Sequence, residues 1–477
     1  MTQQNLKAVE QIAEDKSPKI FAFHDLHPED NAMLQALYSR SPAGVLSHLE
    51  KVKKAGSGKF MASYYVGYGH ASIGDCGTTT IFIENYSMLA AKAIQDSQLY
   101  SGQEASTRYL DFSEQPLYDP FGEEETSKIQ QRWLDLYNEY MPQVKQALAE
   151  TYPYNSEDYK TEKVWQNAIN ARAFDILRCL LPVGATTLFS WTTNLRQARD
   201  RLMRLRNHPL PEIKELARDL FTRLNDQYPH SFTGTEMDDN ERYTERHAYE
   251  AQYGEKDHVQ TFDDVIQRYQ LTEAEQQKIH DGGVVYRTEH LDIAGINRDE
   301  SEALQNRPDG AALPHRLKSY GVVDILCKLD FGSFRDLQRH RGGVCLLPQV
   351  DNTFGFNSWY LSQLEDLLPD NAVALKAAIQ ENLGELETLK TQGKSSLLLQ
   401  YLYPMGMDIA VNVTYSVPQI QYVAELRSGK PVHQSLRPIA QDMVLFLKEH
   451  FPNIALYADM DKDNWTAKRG EQTIEEK

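Results

Sequence analysis

The chain has 477 residues, 41% of them hydrophobic and 25% charged, with a formal net charge of −18 at pH 7, a length that allows two or three domains with cores of their own. An acidic balance of this size disfavours long-range attraction to nucleic acid or to an anionic membrane surface, and no run approaches the roughly 20 consecutive apolar residues of a membrane helix. The four cysteines, Cys76, Cys179, Cys327 and Cys345, form no Cys-x-x-Cys pair, which argues against a disulfide or zinc framework and suits a reducing, cytoplasmic setting.

Residues 1–33 read as an N-terminal extension without the basic start and apolar run of a secretory signal. Its "HDLH" (24–27) has helical i,i+3 spacing but no evident third ligand, so it is expected to be ordinary surface and no metal site is expected. "GYGHASIGD" (67–75) sets His70 and Ser72 beside glycines that let the backbone approach a ligand closely. A β-branched, strand-like run and then a helix-like segment fill 80–98. "SGQEASTRY" (101–109) offers hydroxyls, an amide, a carboxylate and a guanidinium. That set fits the polar edge of a base with its phosphate, and equally fits turns and caps. Helix-like periodicity covers 127–150 and 158–181, followed by "NLRQARDRLMRLR" (194–206) and a further helix at 211–227. The arginines of 194–206 suit either a solvated face or a phosphate-binding helix.

A charge-dense insert at 236–285 contains one possible helix at 260–281. The second half then repeats the first. "VDILCKLDFGSFRDLQRHR" (323–341) lies over "TIFIENYSMLAAKAIQDSQ" (80–98) without gaps. Both halves have a Leu/Tyr-Pro-x-Gly junction, at Pro182 and Pro404, then an apolar run, a segment closing on Leu-Arg and a helix ending at aromatic-Pro. Helices are expected at 373–391 and 434–450. The class is α+β: two tandem domains, 34–235 and 286–460, forming a pseudo-dimer, with a polar tail at 461–477. "QRHRGG" (338–343) packs Arg339, His340 and Arg341 together. Three adjacent cationic or potentially cationic groups repel one another, so a bound pyrophosphate or a reduced, anionic flavin would relieve them. The glycines that follow would let main chain pass near a planar ring.

"GHASI…SGQEASTRY", with "RCLLP…TTNLRQARDRLMRLR", resembles the flavin-dependent thymidylate synthase family (the ThyX type). The resemblance runs over roughly 34–235 and 286–455, and the first copy is the closer. It implies FAD as cofactor, 5,10-methylenetetrahydrofolate and NADPH as co-substrates, dUMP as substrate, and methylene transfer to uracil C5 at sites where subunits meet. The copies depart from the family pattern in complementary ways. The Arg-His-Arg slot of the first copy holds Asp96-Ser97-Gln98, whereas Glu104, Ser106 and Arg108 survive. In the second copy Arg339, His340 and Arg341 survive, while Leu347, Gln349 and Asp351 fill the downstream slots. The junction arginine is Arg178 in the first copy and Gln400 in the second. The family's glutamine before Arg-His-Arg falls on Asp336.

Carried over residue by residue, the resemblance implies one composite site. Arg108 and Arg178 would bind phosphate, Arg427 would polarise a pyrimidine carbonyl, and Glu104 and Ser106 would orient the base. Arg339, His340 and Arg341 would hold FAD with His70, Ser72, Asn194 and Arg196. A homodimer would then stand in for the family's tetramer. Two alternatives stay open: a flavoenzyme acting on another pyrimidine nucleotide or heteroaromatic ring, and a non-catalytic nucleotide-binding protein. No Gly-x-Gly-x-x-Gly fingerprint is present, so NADPH would bind without a Rossmann fold.

Overall fold

The computed structural model describes residues 21, 26–40, 45–67, 70–157, 159–232, 260–463 and 465. His24 and Asp25 of "HDLH", the charged stretch up to 259 and most of the tail fall outside the described residues. The protein is a mixture of helices and antiparallel sheet, the α+β class expected. Among the described residues no helix is long and apolar enough to cross a membrane.

The chain divides into two compact units, one made of Met1–Ile83, Leu99–Gln103 and Ser190–Glu250, the other of Glu84–Gln98, Glu104–Phe189 and Ala251–Lys477. The first unit is helical. Helix Pro28–Tyr38 has proline in its first turn, where no amide hydrogen is needed. It buries Ala32 and Ala36 against Met61, Tyr65 and Ile73. Its opposite flank packs Met33 and Leu34 on Leu49 and Val52 of helix Val45–Ala55. Helices Leu195–Leu205 and Pro211–Gln227 complete the unit.

The second unit carries a four-stranded sheet of order β3-β4-β6-β5: Val285–Arg287, Val323–Asp330, Asp408–Tyr415 and Val344–Cys345. β4 and β6 pair antiparallel from Val323↔Tyr415 to Asp330↔Asp408. Both strands are covered on either face, which is why "VDILCKLD" and "DIAVNVTY" read as near-continuous apolar runs rather than alternating ones. The helix expected at 260–281 is two, Phe262–Tyr269 and Glu273–His280. Gln270 turns left-handed between them (φ 48°), and Thr272 with Glu275 builds a capping box that starts the second. Together they bury Phe262, Val265, Leu271 and Ile279 on Leu326 and Ala410, so this end of the insert roofs one face of the sheet. Where that roof stops, a cleft of about 650 Å³ opens over Asp324, Asn412 and Thr414.

The other pair, β1 (Thr78–Ser87) and β2 (Thr186–Asn194), is crossed by the boundary between the units. Beyond it, in the second unit, a chain of matching contacts runs through both halves. Ser87 caps helix Met88–Gln95 by accepting from Ala90 N (3.1 Å), as Asp330 caps helix Phe331–Leu337 by accepting from Ser333 N (2.9 Å). Met88 N donates to Ala185 O, and Phe331 N to Met407 O. The two junctions bond each other: Pro182 lies opposite Pro404 in an antiparallel bridge. Val183 N donates to Tyr403 O and Met405 N to Leu181 O, both at 2.8 Å. Gly184 N donates to Tyr401 O (2.8 Å) and Gly406 N to Cys179 O (2.9 Å). Exchanging the two segments leaves this pattern unchanged, as in the isologous contact of a two-fold dimer. Helix Glu124–Thr151 backs the junctions, burying Ile129, Trp133, Tyr137 and Val144 along one face and donating from Trp133 Nε1 to Leu402 O (3.0 Å).

Candidate functional site

Two buried ionic clusters in the second unit take up most of the residues expected at the site. The first is centred on Glu104. Helix Met88–Gln95 is apolar apart from Lys92 and Gln95, and both are buried. Lys92 Nζ donates to Glu104 Oε2 (2.7 Å) and Gln95 Nε2 donates to the same oxygen (3.0 Å). Arg335 Nη2, from helix Phe331–Leu337, donates to Oε1 (2.6 Å). Burial opposes ionisation of Glu104, but Arg335 and Lys92 prevail and hold its carboxyl down at about 2. Burial lowers the Lys92 ammonium to about 8, with Glu104 working the other way. Both oxygens of Glu104 are therefore engaged within the protein.

The second cluster gathers arginines from separate stretches of chain. Ser106 Oγ accepts from Arg108 N (3.3 Å), shaping the turn from which Arg108 projects. Arg108 grips Asp175 with two bonds, Nε–Oδ1 2.5 Å and Nη2–Oδ2 2.9 Å, and also reaches Pro431 O (3.2 Å). Arg178 starts the turn that ends helix Glu162–Leu177 and is 1% exposed. It donates to Ser333 Oγ (2.8 Å) and Tyr360 Oη (3.2 Å), with Asp330 Oδ2 at 3.7 Å. Asp330 in turn accepts from Tyr360 Oη (2.9 Å) and from Ser435 Oγ. His433 Nε2 lies 3.1 Å from Asp175 O, and burial, followed by Arg178 and Arg108, keeps its imidazole neutral.

Arg427, at the end of helix Val417–Ser428, donates from Nε to His340 Nε2 (2.7 Å) and from Nη2 to the main-chain oxygen of Asp336 (2.9 Å). An acceptor at Nε2 fixes His340 as the neutral tautomer with its hydrogen on Nδ1. Burial, and after it Arg427, depresses this imidazole to about 3. The Arg-His-Arg run therefore carries two charges rather than three, and the histidine serves to hold Arg427. Arg339 is the exposed member: its side chain is 47% accessible, with Asp336 Oδ1 at 3.7 Å. Arg341 is half-buried. Although burial opposes it, the field of Arg108, Arg178, Arg427 and Arg339 holds Asp336 well below the usual carboxylate range. Arg108, Arg178, Arg339 and Arg427 thus converge electrostatically on one carboxylate.

The two glycines after Arg341 have a packing reason. A Cβ on Gly343 would strike the Thr414 carbonyl oxygen and one on Gly342 would strike Gln419 Oε1. They let the loop press on β6 and helix Val417–Ser428, which replaces the expectation that they open the backbone to a planar ring. Gln98 donates to Gly343 O (3.0 Å) and buttresses this loop.

His70, Ser72, Asn194 and Arg196 belong to the first unit. His70 precedes the tight turn Ala71–Cys76, and both it and Ser72 are exposed. Asn194 caps helix Leu195–Leu205 by accepting from Gln197 N (2.8 Å), and Arg196 pairs with Asp75 (2.7 Å).

Lys92, Gln95, Arg335, Asp175, Asp330 and Tyr360 were not singled out by sequence. Lys92 left a usable trace as the one charged residue in "MLAAKAIQ", since a lysine on an otherwise apolar, fully buried helix needs a carboxylate partner. Asp175 precedes Arg178 by one helical turn and left no comparable trace. All four cysteines are free thiols; burial pushes Cys345 well above its ordinary range, so it is packing rather than nucleophile.

Residues 26–230 match the family model described as thymidylate synthase complementing protein. The match coincides with the first of the two parallel stretches, and the second lies outside it. Among curated proteins, the chain is 23% identical over 489 aligned residues to the UPF0159 protein of Thermoplasma acidophilum, covering 89% of this chain and 94% of that one. It is 25% identical over 438 residues to a UPF0159 protein of Chlamydia pneumoniae (83% and 80%). It is 26% identical over 487 residues to that of Chlamydia muridarum (89% and 88%).

Proposed function

From a chain whose residues 26–230 match the model of the thymidylate synthase complementing protein family, we propose a flavin-dependent enzyme that methylates the uracil ring of dUMP, with one composite site per chain. The observation that carries this reading is the meeting of the halves around helix Phe331–Leu337: Arg178 donates to Ser333 Oγ (2.8 Å), Arg427 to the Asp336 main-chain oxygen (2.9 Å), and Arg339 lies 3.7 Å from the Asp336 carboxylate, which also feels the field of Arg108. The reciprocal bonding of Leu181–Gly184 with Tyr401–Gly406 supports a fused pair of domains.

The residues present fit a flavin: Arg339 keeps an accessible guanidinium whose nearest acid is beyond hydrogen-bond length, and Arg341 stands two positions on. When bound, FAD supplies the hydride chemistry that completes one-carbon transfer from 5,10-methylenetetrahydrofolate, with NADPH as reductant. The chain's own part is electrostatic. Arg427, oriented by His340 and by the Asp336 carbonyl, presents a fixed donor to a pyrimidine carbonyl and stabilises negative charge spreading into the ring. Arg108, held by Asp175 through Nε and Nη2, would meet the phosphate with its remaining Nη1 donor. Ser106 sets the turn, and Glu104 keeps the segment carrying Arg108 fastened to helix Phe331–Leu337.

The test is the visible spectrum of the purified protein, titrated with dUMP. One flavin per chain is expected, its band perturbed by dUMP in the wild type and not in Arg108→Ala or Arg427→Ala. A colourless protein that FAD does not reconstitute, or a flavin band blind to dUMP, overturns the reading.

A further inference from the structure

The arginine cluster is unusual in its inventory of hydrogen-bonding groups. A guanidinium only donates, so Arg108, Arg178, Arg339 and Arg427 can read only acceptors on a ligand: phosphate oxygens and ring carbonyls. Three of the four also bond within the protein, Arg108 through Nε and Nη2 to Asp175, Arg178 to Ser333 and Tyr360, and Arg427 to His340 and the Asp336 main-chain oxygen, so each meets a ligand only with the donors these bonds leave. Asp330 and Asp175, the neighbouring acids, have their oxygens occupied as well.

Asp336 differs from both. Its main-chain oxygen is taken by Arg427, but its carboxylate accepts no hydrogen bond from any described residue, the nearest cation being Arg339 Nε at 3.7 Å. The side chain is 16% exposed, enough to be reached and too little to be fully hydrated. It stands one helical turn before His340, the residue that orients Arg427. An ionised carboxylate in that position repels a carbonyl or phosphate oxygen and attracts N–H.

We propose that Asp336 is a specificity-determining residue of this site: its carboxylate accepts a hydrogen bond from a ring or exocyclic N–H of the bound base, so the site selects pyrimidine nucleotides that present a donor there. The inference rests on the nucleotide reading above and deepens it. Cations read the acceptors and Asp336 reads one donor. A ligand without that donor leaves a desolvated carboxylate unpaired, which lowers its affinity roughly 10- to 100-fold. Uracil offers its N3–H and cytosine its 4-amino group; a uracil methylated at N3 offers neither.

The experiment is calorimetric titration of the flavin-loaded protein with dUMP, dCMP and N3-methyl-dUMP, using wild type, Asp336→Ala and Asp336→Leu. The wild type is expected to bind dUMP or dCMP roughly 10- to 100-fold more tightly than the N3-methyl compound. That ratio should fall to near one in both variants; leucine keeps the bulk and cannot accept, which separates a lost hydrogen bond from relieved crowding. Inorganic phosphate should bind more tightly to both variants than to the wild type, because a negative charge has left the cluster. A wild type that binds the N3-methyl compound as tightly as the others overturns the inference without any variant. So does a discrimination that survives in a variant melting at the wild-type temperature. A wild type that binds no pyrimidine nucleotide sinks the nucleotide reading itself, and the inference with it.

Discussion

Lys92 and Arg335 hold the two oxygens of one carboxylate: Lys92 Nζ lies 2.7 Å from Oε2 of Glu104, and Arg335 Nη2 lies 2.6 Å from Oε1. In the gapless register of 80–98 on 323–341 these cations occupy the same position, and both meet in a single acid. Removing Glu104 strands two buried cations. Glu104→Ala is expected to cost about 3–5 kcal/mol, read as a fall in melting temperature. Because the folded carboxyl is depressed to about 2, its contribution is present above the ordinary carboxylate range and fades as pH falls toward 2. A variant as stable as the wild type at neutral pH would show the cluster to be idle.

His433 and His340 give a second pH dependence. Both imidazoles are held neutral by burial, with Arg178, Arg108 and Arg172 facing His433 and Arg427, Arg339, Arg341 and Asp336 facing His340. A histidine depressed in the folded state contributes its full stability above about pH 6.5 and loses it as pH falls below. Asp408, raised to about 6 chiefly by burial, runs the other way and relieves the fold as pH drops through 6. His208, depressed by burial, adds to these two, and Asp200, raised by burial, adds to Asp408; three histidines outweigh two aspartates, so the melting temperature should fall between pH 8 and pH 5. The fall should be smaller in His433→Asn; a flat profile contradicts the assignment.

Gly343 and Gly384 offer a paired substitution. A Cβ on Gly343 meets the Thr414 carbonyl, whereas one on Gly384, within helix Ala372–Thr391, meets nothing. Gly343→Ala should destabilise by about 1–3 kcal/mol; Gly384→Ala should stabilise by roughly 0.5–1 kcal/mol, the helix cost of glycine. Chemical denaturation of both reads the two signs.

Arg427 makes two directed bonds, to His340 and to the Asp336 carbonyl. Under the proposed reaction, Arg427→Ala should lower turnover roughly 100- to 1000-fold, the scale of losing one preorganised donor to a developing anion. Arg427→Lys should rescue little, since a single ammonium cannot reproduce the guanidinium's fork. Single-turnover rates check this, and full activity in the lysine variant would count against a directed role.

The fold was legible where periodicity was strong. The helix expected at 211–227 is Pro211–Gln227, and that at 373–391 is Ala372–Thr391. The break at Gln270 was not, because a left-handed residue other than glycine leaves no mark in an apolar pattern. At the site, Arg108, Arg178, Arg339 and Arg427 could be named from motifs. The counter-ions of Arg108 and Arg178 could not, because Asp175 and Asp330 acquire meaning only through burial and through contacts distant in sequence. The charge on His340 was open for the same reason: sequence shows a histidine between two arginines, and only burial beside Arg427 makes it the neutral member.

The reciprocal bonds at Pro182 and Pro404 also bear on synthesis. The amides and carbonyls of Cys179–Gly184 find their partners on Tyr401–Gly406, which leaves the ribosome more than two hundred residues later. Until then the growing chain carries an open hydrogen-bonding edge flanked by apolar residues, the kind of surface that invites wrong partners. Truncations ending before Tyr401 should therefore be captured by chaperones or aggregate, however sound the sequence before them.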